Sequence, residues 1–209
     1  MIHDISVTLG GPCTYWPGDP AYQREQTLRL ADGGEADVSK LTLSVHAGTH
    51  VDSPAHFIAA ARTLDQYPPS RFVLPASVVE VDDDECVRPE HLAGVTLAAG
   101  EALLLKTRNS ARGLCMTGRF EERYVYLSLE AARLCVQRRL GLVGIDYLSV
   151  DRYGGEGYPT HLELLGHDVL ILETLDLRAI APGRYTLSCL PLKLKDCEGS
   201  PVRAVLIEG

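Results

Sequence analysis

"SLEAARLCVQRRLGLVGID", residues 128–146, sets one helix beside one strand and decides how the rest of the chain is read. Ser128 is suited to an N-cap: its hydroxyl can accept from the free amides of a first turn that carries Glu130. Leu129, Ala132, Val136 and Leu140 then recur at spacings of 3, 4 and 4, which lines one face of a helix. Gly141 reads as its stop, and "LVGID" (142–146) as a buried strand. The pattern repeats downstream, where "PTHLELLG" (159–166) reads as a helix and "DVLILET" (168–174) as a strand. A helix between two strands favours parallel pairing, because the chain must cross back over the sheet before it can run the same way again.

Elsewhere short apolar or alternating runs, bounded by Gly, Pro and Asp, read as strands. They are "ISVTL" (5–9), "LTLSVH" (41–46), "ASVVEV" (76–81), "ALLLKT" (102–107), "YVYLS" (124–128), "RYTLSCLPLKL" (184–194) and "VRAVLIE" (202–208). "RPEHLAGV" (88–95) reads as a further short helix, and 108–122, with Gly113 and Gly118 among mixed charges, as a mobile loop that borders a site. The expectation is a strand-rich α/β fold in a single domain spanning 1–209.

Composition narrows the function. The chain has 209 residues, 45% of them hydrophobic, enough for one sizeable core. A net charge of -8 and a pI near 5.3, with no basic stripe, speak against nucleic acid or an anionic membrane and for a small-molecule substrate. "MIHDISVTLGG" (1–11) lacks the pattern of a secretory signal, and no apolar run approaches the ~20 residues that span a bilayer, so the expected location is cytoplasmic. Six cysteines stand without a CxxC pair and read as reduced structural thiols.

Three of the seven histidines fall within "HAGTHVDSPAH" (46–56). On a helix His46 and His50 would share a face, but Gly48, Thr49, Val51 and Pro54 oppose a helix, and Ala47 stands where an HExxH site has its glutamate. A straight strand from His46 to His56 would run about 33 Å, beyond any one coordination sphere. The chain must bend. Gly48 and Pro54 both allow bending, so a strand ending near His46 and followed by a tight turn would gather His46, His50 and Asp52 around one ion. Such donors suit zinc, manganese or iron(II), while a polar turn would account for any one of these residues singly.

"HAGTHVDSPAH" resembles the HxGTHxDxPxH signature of the cyclase family of metal-dependent hydrolases, which includes the bacterial kynurenine formamidases. Agreement extends through "DIS" (4–6), "WPGDP" (16–20), "LVGIDYLSVD" (142–151), "LLGHDVLILETLDL" (164–177), "PGRYTLSCLPLKL" (182–194) and "SPVRAVL" (200–206). The resemblance implies a swivelling β/β/α-type fold assembled as a homodimer or larger homo-oligomer. It implies two divalent metal ions, zinc first and manganese second. His46 and His50 become ligands of one ion, His161 of the other, with Asp52 and Glu173 bridging both. His56 becomes the proton-transferring catalytic residue and Trp16 a substrate contact.

Read alone, His161 would be a surface residue at a helix start, Glu173 a charge meeting water at a strand end, and Trp16 core packing. The implied activity is that of an arylformamidase, which hydrolyses N-formyl-kynurenine to kynurenine and formate with metal-activated water, a step of tryptophan catabolism. The stretch "GIDYLSVDRYGGEGYPTH" (144–161) departs from the formamidase pattern at Tyr147, Leu148 and its glycine-rich part, which bears on the substrate rather than on the metals. The alternatives are an isatin hydrolase-like enzyme that opens a cyclic amide or lactone, and a metal-binding protein without catalysis. His56 argues against the latter, since a metal cage needs no proton shuttle.

Overall fold

Thirteen strands and three α-helices form in the computed structural model, which describes residues 1–209. In chain order the first strands are β1 (Ile2–Asp4), β2 (Gln23–Leu28), β3 (Val38–Thr42), β4 (His50–Asp52), β5 (Val73–Glu80), β6 (Cys86–Val87) and β7 (Ala102–Lys106). Then come α1 (Arg108–Arg112), β8 (Tyr126–Leu127), α2 (Leu129–Gln137), β9 (Leu142–Ile145), α3 (Pro159–Gly166), β10 (Leu170–Glu173), β11 (Gly183–Ser188), β12 (Gly199–Pro201) and β13 (Val205–Ile207).

Nine of these strands make one mixed sheet in the order β1-β13-β11-β5-β7-β9-β10-β4-β12. Its centre is the parallel run β5, β7, β9 and β10, as the helix-then-strand reading requires. Both faces of this centre are covered. Ala102, Leu104, Leu142, Leu170 and Leu172 enter one buried cluster. Leu103, Leu105, Val143, Ile145 and Ile171 enter another, together with Ala131, Ala132 and Cys135 of α2 and Leu164 and Leu165 of α3. A strand that must be apolar on both faces shows a continuous hydrophobic run rather than alternation, hence "ALLL" and "LIL". Burying Leu103, Leu104 and Leu105 is worth roughly 1.5–3 kcal/mol for each side chain. The expected strand-rich α/β class holds.

Ser128 caps α2 as expected, its Oγ accepting from Ala131 N at 3.2 Å. The helix stops earlier than Gly141, after Gln137, because Arg139 takes a left-handed conformation with φ +56°. Leu140 still turns inward and is buried. Several other readings are corrected. "ISVTL" is no strand: β1 precedes it, and Ser6 makes one isolated bridge to Leu175. "LTLSVH" overlaps only the end of β3, "YVYLS" holds the two-residue β8, and "RYTLSCLPLKL" leaves the sheet after Ser188. "RPEHLAGV" yields a single 3-10 turn, Pro89–Leu92. The 108–122 segment is not one open loop: it begins with α1 and buries Asn109, Ser110, Leu114 and Cys115. All six cysteines are free thiols. No helix is long and apolar enough to cross a membrane.

Candidate metal centre

The signature stretch bends between His46 and His50, as expected. Ala47 N donates to Ser44 O at 3.1 Å to close a turn, and Gly48 follows at φ +65°. That backbone favours glycine, and a Cβ there would lie 2.7 Å from Cδ2 of Leu9. Thr49 fixes the exit from the turn: its Oγ1 donates to Thr174 O at 2.6 Å and accepts from Val7 N at 2.9 Å. His50 and Asp52 then sit two apart on β4 and share a face. In the antiparallel register His50 lies opposite Glu173, the last residue of β10. The carboxyl ends of β9 and β10 thus meet β4 where open α/β sheets gather their sites.

Two donor groups result. One comprises His46, His50 and Asp52, the other Asp52, His161 and Glu173, each with ligand-type atoms within 4.8 Å of one another. Asp52 belongs to both. Its Oδ1 lies 2.8 Å from Nδ1 of His46 and 3.4 Å from Nε2 of His50, and its Oδ2 lies 3.9 Å from Nε2 of His161. Glu173 spans the same gap, with Oε2 3.5 Å from Nε2 of His50 and Oε1 3.3 Å from Nε2 of His161. His50, Asp52, His161 and Glu173 are all buried, so neither the surface reading of His161 nor the solvated reading of Glu173 survives.

Neighbouring groups set each donor's direction. Nδ1–H of His50 donates to Gly48 O at 2.8 Å, which turns Nε2 inward. Nδ1–H of His161 donates to Oδ2 of Asp151 at 2.6 Å, and Val150 N donates to Oε1 of Glu173 at 2.8 Å. Such partners fix ring orientation and tautomer at metal sites.

A divalent cation fits this donor set. Oδ2 of Asp52 is buried without a hydrogen-bond partner, which is costly for a carboxylate oxygen unless something else completes it. Burial pulls the pKa of His50 down, but Asp52 and Glu173 raise it to about 9. In the same way burial is overcome at His161 by Asp151 and Glu173, which raise it to about 10. The carboxylates therefore demand positive charge at their centre, and a divalent ion supplies it while leaving both rings neutral.

His56 follows β4 on a 3-10 turn, Pro54–His56, and stacks on His46 with ring centroids 3.9 Å apart. Burial leads in pulling its pKa below the ordinary histidine value, and the imidazoles of His46 and His161 add to that against the pull of Asp52. An open cavity of about 460 Å³ lies over the centre, lined by His46, His50, His56, His161 and Glu173 and walled by Trp16, Phe57 and Tyr158. Trp16 also packs edge-on against Phe120 at 5.2 Å and Tyr153 at 5.8 Å, so the 108–122 segment borders the site through Phe120. Six of the seven residues singled out in the sequence line this cavity, and the seventh, Asp52, is buried among them as a member of both donor groups. Asp151, Tyr158, Glu198 and Gly199 were not among them. For Asp151 the available signal was a carboxylate ahead of a helix start; for the other three the sequence offers none.

The family model described as "Putative cyclase" matches residues 3–152. A kynurenine formamidase of Bacillus cereus is 33% identical over 203 residues, covering 97% of this chain and 95% of its own length. Among solved structures, a "predicted metal-dependent hydrolase" from Bacillus stearothermophilus superposes with a TM-score of 0.84 at 26% identity, over 99% of this chain and 97% of that one. Isatin hydrolase A from Labrenzia aggregata shares the fold, with a TM-score of 0.85 at 24% identity over 100% and 94%. With the model spanning more than half of its residues and a relative of that identity spanning nearly all of them, the chain belongs to the cyclase family.

Proposed function

We propose that this chain is an arylformamidase, a hydrolase of carbon–nitrogen bonds other than peptide bonds, converting N-formyl-kynurenine and water to kynurenine and formate. The observation that carries the reading is the pair of donor groups joined through Asp52 on the floor of an aromatic-walled cavity. His46, His50 and Asp52 would hold one ion, and His161 and Glu173, with Asp52, the other, zinc before manganese. Bound there, divalent ions lower the pKa of a water towards neutrality and polarise the formyl carbonyl.

The chain's own residues do the rest. Trp16, Phe57 and Tyr158 hold the aryl ring and exclude water, which strengthens every electrostatic term in the cavity. His56 stands beside the donor groups and hands a proton to the aniline nitrogen as the C–N bond breaks. Its lowered pKa suits it to taking up a proton and passing it on within one turnover. Asp151 keeps His161 aimed during the reaction.

The working unit is a single domain, 1–209, acting on a small molecule in the cytoplasm as a homodimer or larger homo-oligomer. Supporting self-association, the β2–β3 hairpin pairs with no other strand and exposes Leu28, Leu30, Val38 and Leu41. A lone two-stranded ribbon is marginal in water, and a second copy would cover it.

Formate release from N-formyl-kynurenine, measured beside ring opening of isatin and with and without chelator, tests the activity. Chelator-sensitive formate release is expected to dominate. Isatin opening alone would favour the cyclic-amide alternative, and neither reaction would favour a metal-binding protein.

A further inference from the structure

Nε2 of His46 is one of the two buried atoms of the centre without a partner. Its other nitrogen, Nδ1, is the one turned to Asp52, at 2.8 Å, and Asp52 Oδ1 faces Nε2 of His50 at 3.4 Å. His46 therefore offers Nδ1 to its donor group. A neutral imidazole that gives Nδ1 to a cation keeps its proton on Nε2, and that buried N–H then needs an acceptor. Oε1 of Glu198 stands 3.6 Å away, close enough for a small side-chain rotation to close the bond.

The backbone around Glu198 is built to keep it there. Its carbonyl accepts from Ser53 N at 2.8 Å and from Ser53 Oγ at 2.9 Å. The next residue, Gly199, lies opposite Asp52 in the β4–β12 register. A Cβ on Gly199 would sit 2.6 Å from Cε1 of His46, so the imidazole rests directly on bare backbone beside the Glu198 carboxylate. Two residues absent from the donor groups thus seat one of the donors.

We propose that Glu198 is a positioning residue that accepts from Nε2–H of His46 and holds Nδ1 towards His50 and Asp52. This rests on reading His46 as a ligand. A carboxylate behind a ligating histidine raises the basicity of the ring and fixes its tautomer, and its loss costs about 10- to 100-fold in metal affinity.

The test is metal affinity rather than turnover. Metal-stripped wild type, Glu198→Ala and Glu198→Gln are reloaded with zinc or manganese in competition with a chromophoric chelator. Glu198→Ala should bind about 10- to 100-fold more weakly. Glu198→Gln, whose amide oxygen still accepts, should recover part of the loss. The ion-free melting temperature should stay at the wild-type value, because the Glu198 side chain is 41% exposed. Unchanged affinity in Glu198→Ala overturns the proposal, as does a raised KM at unchanged affinity, which would make Glu198 a substrate contact. A drop in ion-free stability matching the affinity loss would reduce it to scaffold. A wild-type chain that takes up no divalent ion would overturn the metal reading itself.

Discussion

Nδ1 of His161 lies 2.6 Å from Oδ2 of Asp151, and the same carboxylate receives the backbone amides of Thr160 at 2.9 Å and His161 at 3.0 Å. One buried side chain therefore caps the start of α3 and aims the imidazole that α3 carries. The helix needs this help, because its own N-cap residue, Tyr158, has a left-handed backbone and contributes no side-chain cap. Asp151→Asn keeps the shape and removes the charge. Metal content after dialysis should fall, with affinity down by about 10- to 100-fold, and the folding stability should drop by the worth of a weakened cap, about 1 kcal/mol. Wild-type metal content in this variant would remove Asp151 from the support of the centre.

Glu173 stands between His50 and His161, 3.5 Å from one and 3.3 Å from the other. If two ions share this centre, replacing Glu173 with alanine would leave them with less negative charge between them, and a buried site screens their repulsion little. Glu173→Ala and Asp52→Ala should each abolish activity and lower bound metal, read by elemental analysis. Chelation of wild type should do the same reversibly, with zinc or manganese restoring turnover. A fully active Glu173→Ala enzyme would defeat the reading of two ions sharing bridges.

What the sequence could disclose follows from the range of the interactions involved. The start of α2 and the central strands were legible because each carries a local signal: the Ser128 cap with apolar residues at helical spacing from Leu129, and unbroken apolar runs in 102–105 and 170–172. In "ISVTL" the alternation correctly turned Ile5 and Val7 inward, but alternation reports burial and not ladder pairing, so no strand formed. His46, His50 and Asp52 showed themselves by crowding, while His161 and Glu173 entered through family resemblance alone. Glu198 and Gly199 stayed hidden since their nearness to His46 comes from a three-residue edge strand pairing across more than a hundred residues of chain. No pattern in "EGSP" announces such a pairing.

His56 tests whether chemistry can be separated from the cage. Its ring stacks on His46 at 3.9 Å, yet it belongs to neither donor group. His56→Ala should keep bound metal and lose turnover by about 10²- to 10⁴-fold, the usual worth of a positioned proton donor or acceptor. Loss of metal together with activity would make His56 a ligand instead.

Trp16 bears on the substrate. Its indole faces the cavity but also packs edge-on against Phe120 and Tyr153, so substrate contact and scaffold packing both act on one side chain. If an aryl ring stacks there, Trp16→Ala should weaken binding of N-formyl-kynurenine by about 1 to 3 kcal/mol, from lost apolar burial and lost aromatic contact, with metal content unchanged. A minimal formamide that never reaches the indole should be hydrolysed almost as before. Phe120→Ala separates the two roles, since it removes the packing behind Trp16 and leaves the indole in place: its effect on binding should be the smaller one, and its effect on melting temperature comparable. Steady-state kinetics of both variants on an aryl and a non-aryl amide decide the matter. Equal losses on both substrates, or none on either, would mean that Trp16 only closes the aromatic cluster, and the case for an aryl substrate would then have to rest on Phe57 and Tyr158 across the cavity.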